Sequence, residues 1–277
     1  MDHRPFGPTK REVAIIGQGT WNIEHSDAGT AIDALRHGLD LGMTHIDTAE
    51  MYGSGAAETL VGEAIAGRRD EVFLVSKVLP HNASRNGTIA ACERSLKRLG
   101  TDRLDCYLLH WRGAVALDET MHGLEDLVRD GKIRSLGVSN FDPWDLREAA
   151  AALEQERIAC NQVLYNLGER TPEAYELPWA RASGAALVAY TPLARPKNAG
   201  GEELLAEVAA RHRVTPEAVA LAFLVRDPIA FAIPKAASMR HVEANVAAGS
   251  LQLEDAELAA IDAAFPARAR TGPLPMN

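Results

Sequence analysis

The sequence predicts an α/β fold, a (β/α)8 barrel spanning residues 1–277 as one domain. Three observations lead there. Eight short apolar segments alternate with helical patterns, and no linker interrupts them. The length of 277 residues suits one large barrel. A doubly wound sheet also fits the alternation, but the third glycine of a dinucleotide fingerprint is missing after Gly17-Gln18-Gly19. The closed barrel is the better match.

The elements follow in order. Residues 15–21 are an apolar, glycine-punctuated strand. Ile32, Leu35 and Leu39 then lie on one helical face, with Ser26 as candidate N-cap and Gly42 as the stop. Residues 44–47 read as a strand end and 56–66 as a helix. The unbroken apolar run at 72–77 suits a strand covered on both faces. Ile89, Cys92, Leu96 and Leu99 form a stripe that ends at Gly100. Residues 104–110 are a strand, and 117–130 are a helix closed by Gly131. A strand at 133–140 leads to Asp142 as N-cap and Pro143 at the first helical position. Strands at 158–165 and 185–190 flank a weak helix at 178–183. Two helices follow, around Leu204, Leu205 and Val208 and around Val219 and Phe223. The last strand is 229–235, and helices around Val242 and Val246 and around Leu258, Ile261 and Phe265 complete the chain.

Composition narrows the function classes. The chain is 47% hydrophobic and 24% charged, which excludes wholesale disorder and collagen-like structure. The net charge is −9, and the basic pairs Arg68-Arg69 and Lys97-Arg98 are short, so no phosphate-backbone binding surface is expected. No apolar run approaches the roughly 18 residues of a membrane span, and the first residues lack a signal-peptide core. A cytoplasmic location without membrane or nucleic-acid partners is expected. Cys92, Cys106 and Cys160 fit neither a disulfide framework nor a zinc set, and Cys106 reads as core. His37, His81, His122 and His212 have no companions at metal-ligand spacing, so no metal is expected.

Catalytic groups of a barrel come from the C-terminal ends of its strands and the loops after them. Polar residues at those positions are Asp47 with Tyr52 beyond it, Lys77, His110, Ser139 with Asn140, Gln162 and Lys235. A buried Lys or Asp costs several kcal/mol unless paired, so Asp47 and Lys77 on adjacent strands should neutralise each other. The plain alternative is a structural ion pair beside a satisfied histidine. Taken together, Asp, Tyr, Lys and His can protonate an oxyanion while a hydride arrives. A lysine cation beside the phenol is expected to lower its pKa from about 10. His110 is expected to orient a carbonyl.

These residues carry a family resemblance. Residues 45–53 (HIDTAEMYG) resemble the aldo-keto reductase signature around its aspartate and tyrosine. Val75-Ser76-Lys77-Val78 is similar to that family's lysine strand, and Leu108-Leu109-His110-Trp111 to its histidine strand. Gly137-Val138-Ser139-Asn140-Phe141, Asn161-Gln162, residues 189–193 (AYTPL) and Ala232-Ile233-Pro234-Lys235 match the next four motifs. The resemblance spans essentially the whole chain and is greatest to bacterial members that reduce small aldehydes such as methylglyoxal.

The resemblance implies NADPH as cofactor and Tyr52 as the general acid, tuned by Lys77 and Asp47. It implies that Ser139, Asn140 and Gln162 hold the nicotinamide carboxamide and that Tyr190 stacks on the ring. Thr191 and Leu193 belong to the same cofactor-binding set. Lys235 would meet the adenosine 2′-phosphate, and Asn245 the adenine. One departure stands out: His241 occupies a position where many members carry arginine, with Arg240 one residue earlier. An imidazole grips a phosphate less well than a guanidinium, so Arg240 is the candidate replacement. Trp21 and Trp111 follow strand ends and are expected on the apolar wall of the substrate pocket.

The connection at 191–201 and the tail at 266–277 are both short, which implies an open site for small aldehydes and dicarbonyls. Oligomeric state is left open by the sequence, with a monomer expected. The alternative function is an NADPH-binding redox-sensing or regulatory subunit with little turnover.

Overall fold

Eight parallel strands form the centre of the protein, whose computed structural model describes residues 1–196 and 199–276. A short antiparallel hairpin precedes them, β1 (His3–Pro5) against β2 (Glu12–Ala14). The parallel strands are β3 (Gln18–Gly19), β4 (His45–Asp47), β5 (Phe73–Val78), β6 (Cys106–Leu109), β7 (Leu136–Ser139), β8 (Ile158–Leu164), β9 (Ala186–Tyr190) and β10 (Ala230–Ala232). They neighbour one another in chain order.

Bridges from Ile16 to Ala232 and from Gly19 to Lys235 join the first strand to the last, so the sheet closes on itself. The Gly17 amide donates to the Ala232 carbonyl at 2.8 Å, and the Ala232 amide to that of Ile15 at 3.0 Å. A Cβ on Gly19 would lie 2.5 Å from the Ile233 carbonyl oxygen, so this seam needs a glycine. The Gly17-Gln18-Gly19 sequence thus serves barrel closure.

The helices lie between strands: α1 (Ala28–Asp40), α2 (Ala56–Ala64), α3 (Arg85–Leu99), α4 (Leu117–Arg129), α5 (Pro143–Ala151) and α6 (Glu176–Ser183). α7 (Ala199–His212) and α8 (Pro216–Leu224) connect β9 to β10, and α9 (Met239–Ala248) and α10 (Asp255–Ala264) follow. The stop at Gly100 and the Asp142 cap are as expected: Gly100 has φ +62°, and the Asp142 carboxylate accepts from the Trp144 and Asp145 amides. The cap of α1 is Asp27 rather than Ser26, because the Asp27 carboxylate accepts from the Thr30 amide at 2.9 Å.

Phe6, carried by the N-terminal hairpin, plugs the lower end of the barrel. It is fully buried, with its ring 4.7 Å from that of Phe73 and 5.0 Å from that of Phe231. His45 meets Phe6 edge-on. All three cysteines are free and buried, Cys106 in the core as expected. Among the described residues, no helix is long and apolar enough to cross a membrane, and no cluster of three potential ligands could hold a metal. In the expected connection at 191–201, Lys197 and Asn198 lie outside the described residues.

Candidate active site

Asp47 ends β4 and Lys77 lies on the neighbouring β5, with side chains 1% and 0% exposed. The Lys77 ammonium donates to Asp47 Oδ1 at 2.5 Å, to the Thr48 carbonyl at 2.9 Å and to Tyr52 Oη at 3.3 Å. Its three N–H donors are all engaged. The other carboxylate oxygen, Asp47 Oδ2, accepts from Gln162 Nε2 at 2.7 Å. Both oxygens therefore face donors, an arrangement that suits the ionised carboxylate. Either charge alone would be costly at this depth, but as a hydrogen-bonded pair they are tolerated.

Tyr52 reaches the ammonium from the connection after β4, where Gly53 and Ser54 take φ of +55° and +54°. The chain turns sharply behind the phenol. His110 immediately follows β6, held by its amide to the Val78 carbonyl at 3.0 Å and by Asn140 Nδ2 on its own carbonyl at 3.1 Å. Its ring stands edge-on to Tyr52, 5.9 Å between centroids, and Nδ1 is buried without a partner. The expected quartet is thus one cluster at the upper end of the barrel.

Burial and Lys77 together hold the His110 pKa down at about 2, so the imidazole is neutral at ordinary pH. Burial works against the Lys77 charge, but attraction to Asp47 and Tyr52 and the hydrogen bonds to them outweigh it and raise its pKa. Burial pushes the Asp47 carboxyl up, opposed by Lys77 and by the Lys77 and Gln162 hydrogen bonds. For Tyr52 the expectation of a lowered pKa is corrected. Burial raises it; Lys77 pulls it down as foreseen, but not enough to reverse the direction.

A cavity of about 260 Å³ opens above the quartet, walled by Trp21, Trp111, Met51 and Met276. Trp21 and Trp111 were expected there. The two methionines were missed: Met276 lies in a proline-rich tail without periodicity, and nothing in the sequence marks Met51 beyond its place beside Tyr52. A second cavity of about 330 Å³ shares Trp21, Tyr52 and Tyr190 with the first and runs past Thr191 and Leu193 to Lys235.

Ser139, Asn140, Gln162 and Tyr190 border the first cavity. Ser139 Oγ donates to the Gln162 carbonyl at 2.9 Å, and Tyr190 Oη to Asn140 Oδ1 at 2.8 Å. Asn140 itself takes φ +60°, which aims its amide back across the strand ends. Lys235, Arg240 and His241 are exposed, the last two in the first turn of α9. Asn245, farther along α9, is 3% exposed, and its Nδ2 has no partner. The elongated groove, the exposed cations beyond it and this orphaned amide fit a long ligand with an anionic end.

The chain is 46% identical to the methylglyoxal reductase YeaE of Escherichia coli (strain K12), with 92% of each chain covered. It is 32% identical to the methylglyoxal reductase DkgB of Escherichia coli O157:H7, over 91% of this chain and 92% of that one. Among solved structures it superposes on an aldo/keto reductase from Klebsiella pneumoniae in complex with NADP and acetate. The TM-score is 0.93, with 42% identity and 100% of each chain covered. Residues 15–265 match the aldo/keto reductase family, a stretch that holds every strand of the barrel and all four residues of the buried quartet. The chain belongs to the aldo/keto reductase family.

Proposed function

We propose that the protein reduces small aldehydes and ketones, methylglyoxal-like compounds among them, to alcohols with NADPH. The observation that carries this reading is the Tyr52 hydroxyl, 3.3 Å from a buried ammonium and beside a neutral imidazole, at the floor of an apolar cavity. The similarity to methylglyoxal reductases supports the substrate class, and the NADP complex of the Klebsiella relative supports the cofactor.

Ser139, Asn140 and Gln162 would hold the nicotinamide carboxamide and Tyr190 the ring face. Thr191 and Leu193 would line the groove, Asn245 would meet the adenine, and Lys235 with Arg240 and His241 would meet the 2′-phosphate. Bound there, NADPH supplies the hydride. His110, neutral, donates a hydrogen bond to the carbonyl oxygen and fixes its orientation. Tyr52 gives up its proton at Oη to the oxygen as negative charge develops. Lys77 stabilises the phenolate left behind, and Asp47 and Gln162 keep the ammonium in place. The raised pKa of Tyr52 keeps the phenol protonated at neutral pH, which is the form a proton donor needs.

The test is NADPH oxidation followed by absorbance after methylglyoxal is added to protein already shown to bind NADPH. Steady turnover is expected. Tight NADPH binding with no oxidation across methylglyoxal, benzaldehydes and simple ketones would favour the sensing subunit instead.

A further inference from the structure

The C-terminal tail bears a latch that the proposed chemistry does not use. Glu176 begins α6, fully buried, and its Oε1 accepts from Arg270 at 2.6 Å, while Oε2 has no partner. The Arg270 guanidinium also lies 4.5 Å above the Tyr175 ring, and its side chain is 12% exposed. A buried carboxylate is costly without a cation, and the Arg270 guanidinium of the tail opposes the effect of burial on Glu176. Six residues further on, Met276 forms part of the wall of the cavity above Tyr52. Between them Leu274 packs against the core, and Pro273 and Pro275 restrict the backbone.

We infer that Arg270 is a positioning residue for substrate selection: its ion pair with Glu176 seats the tail so that Met276 closes the apolar side of the substrate cavity. The inference rests on the carbonyl-reductase reading. Among the described residues, the wall so completed contains no charged side chain. Nearby Arg112 is held by Asp145 and Glu148, and Arg270 is held by Glu176, so neither guanidinium is available to a substrate carboxylate. The seated tail therefore favours uncharged carbonyls with an apolar or aromatic substituent over keto acids and uronates.

The experiment compares Arg270→Met, Arg270→Lys, Met276→Ala and Glu176→Gln with the wild type on 4-nitrobenzaldehyde and glyoxylate. In Arg270→Met and Met276→Ala, KM for the aromatic aldehyde should rise about tenfold, the loss of one apolar contact, with kcat within about twofold. NADPH affinity, measured by fluorescence titration, should stay unchanged, and Arg270→Lys should recover part of the KM. An unchanged KM in Met276→Ala, or a parallel fall in kcat and NADPH affinity in Arg270→Met, would overturn the role. Should Arg270→Met fail to fold, Met276→Ala and Glu176→Gln still decide it. Independently of turnover, trypsin should cut after Arg270 faster in Glu176→Gln than in the wild type. Equal cleavage rates would remove the latch. A wild type inert toward every carbonyl would instead sink the underlying reading, leaving the cleavage result to stand alone.

Discussion

Lys77 has no donor left over: Asp47, Thr48 and Tyr52 take all three. Any displacement of the phenol therefore leaves a buried N–H unpaired, which favours Tyr52 staying in position. Tyr52→Phe keeps the ring against His110 and removes the hydroxyl, both the proton to be donated and the acceptor for one Lys77 N–H. Turnover should fall by about 10²–10⁴-fold, the usual share of general acid catalysis, with NADPH binding nearly intact. Single-turnover kinetics check this, and retention of more than about a tenth of the rate would move the acid elsewhere. These residues were legible in the sequence because polar side chains at consecutive strand ends are conspicuous among apolar neighbours. The direction of the Tyr52 shift was not, since it depends on burial and only the fold reveals how deeply the hydroxyl is enclosed. The second partner of Asp47 was equally hidden. Gln162 was placed at the site, but its bond to the carboxylate crosses 115 positions of sequence.

Among the elements, β10 and α9 carry the part of the site that faces solvent. β10 pairs regularly only over Ala230–Ala232, and Lys235 is tied to the barrel by its backbone bridge to Gly19. The backbone is thus fixed while the ammonium stays exposed, a fitting arrangement for a phosphate that arrives from water. Lys235→Met should weaken NADPH by about tenfold to a hundredfold, the loss of a charge-assisted hydrogen bond, and leave NADH nearly unaffected. Parallel titrations of both cofactors give the answer, and equal weakening would remove the phosphate role. Most elements were readable from periodicity and caps because helix faces such as Leu35 with Leu39 repeat over several turns. The hairpin of β1 and β2 escaped, since strands of three residues show no pattern. Ser26 and Asp27 both suit an N-cap, and only the observed bond to Thr30 separates them.

At the scale of the whole molecule, the barrel encloses two histidines that folding keeps neutral. Burial, with Lys77 adding to it, lowers His45 to about 3 and His110 to about 2. The unfolded chain takes up these protons near pH 6.5 and the folded one does not, so stability is complete above that pH and declines as pH falls towards 3. Between pH 7 and pH 5, His45→Leu should lose about 2 kcal/mol less than the wild type by urea unfolding. Identical losses would show that His45 already takes up its proton in the fold. The same buried histidine has a bearing on transport. Phe6, Phe73 and Phe231 surround it, and their apolar rings offer a proton no group to pass along from below. The cavity that reaches Tyr52 and His110 lies at the opposite, upper end. On the proposed chemistry, each proton that Tyr52 donates is replenished from the same mouth that admits the aldehyde and releases the alcohol. An alcohol slow to leave would therefore delay re-arming of the acid as well as the next arrival.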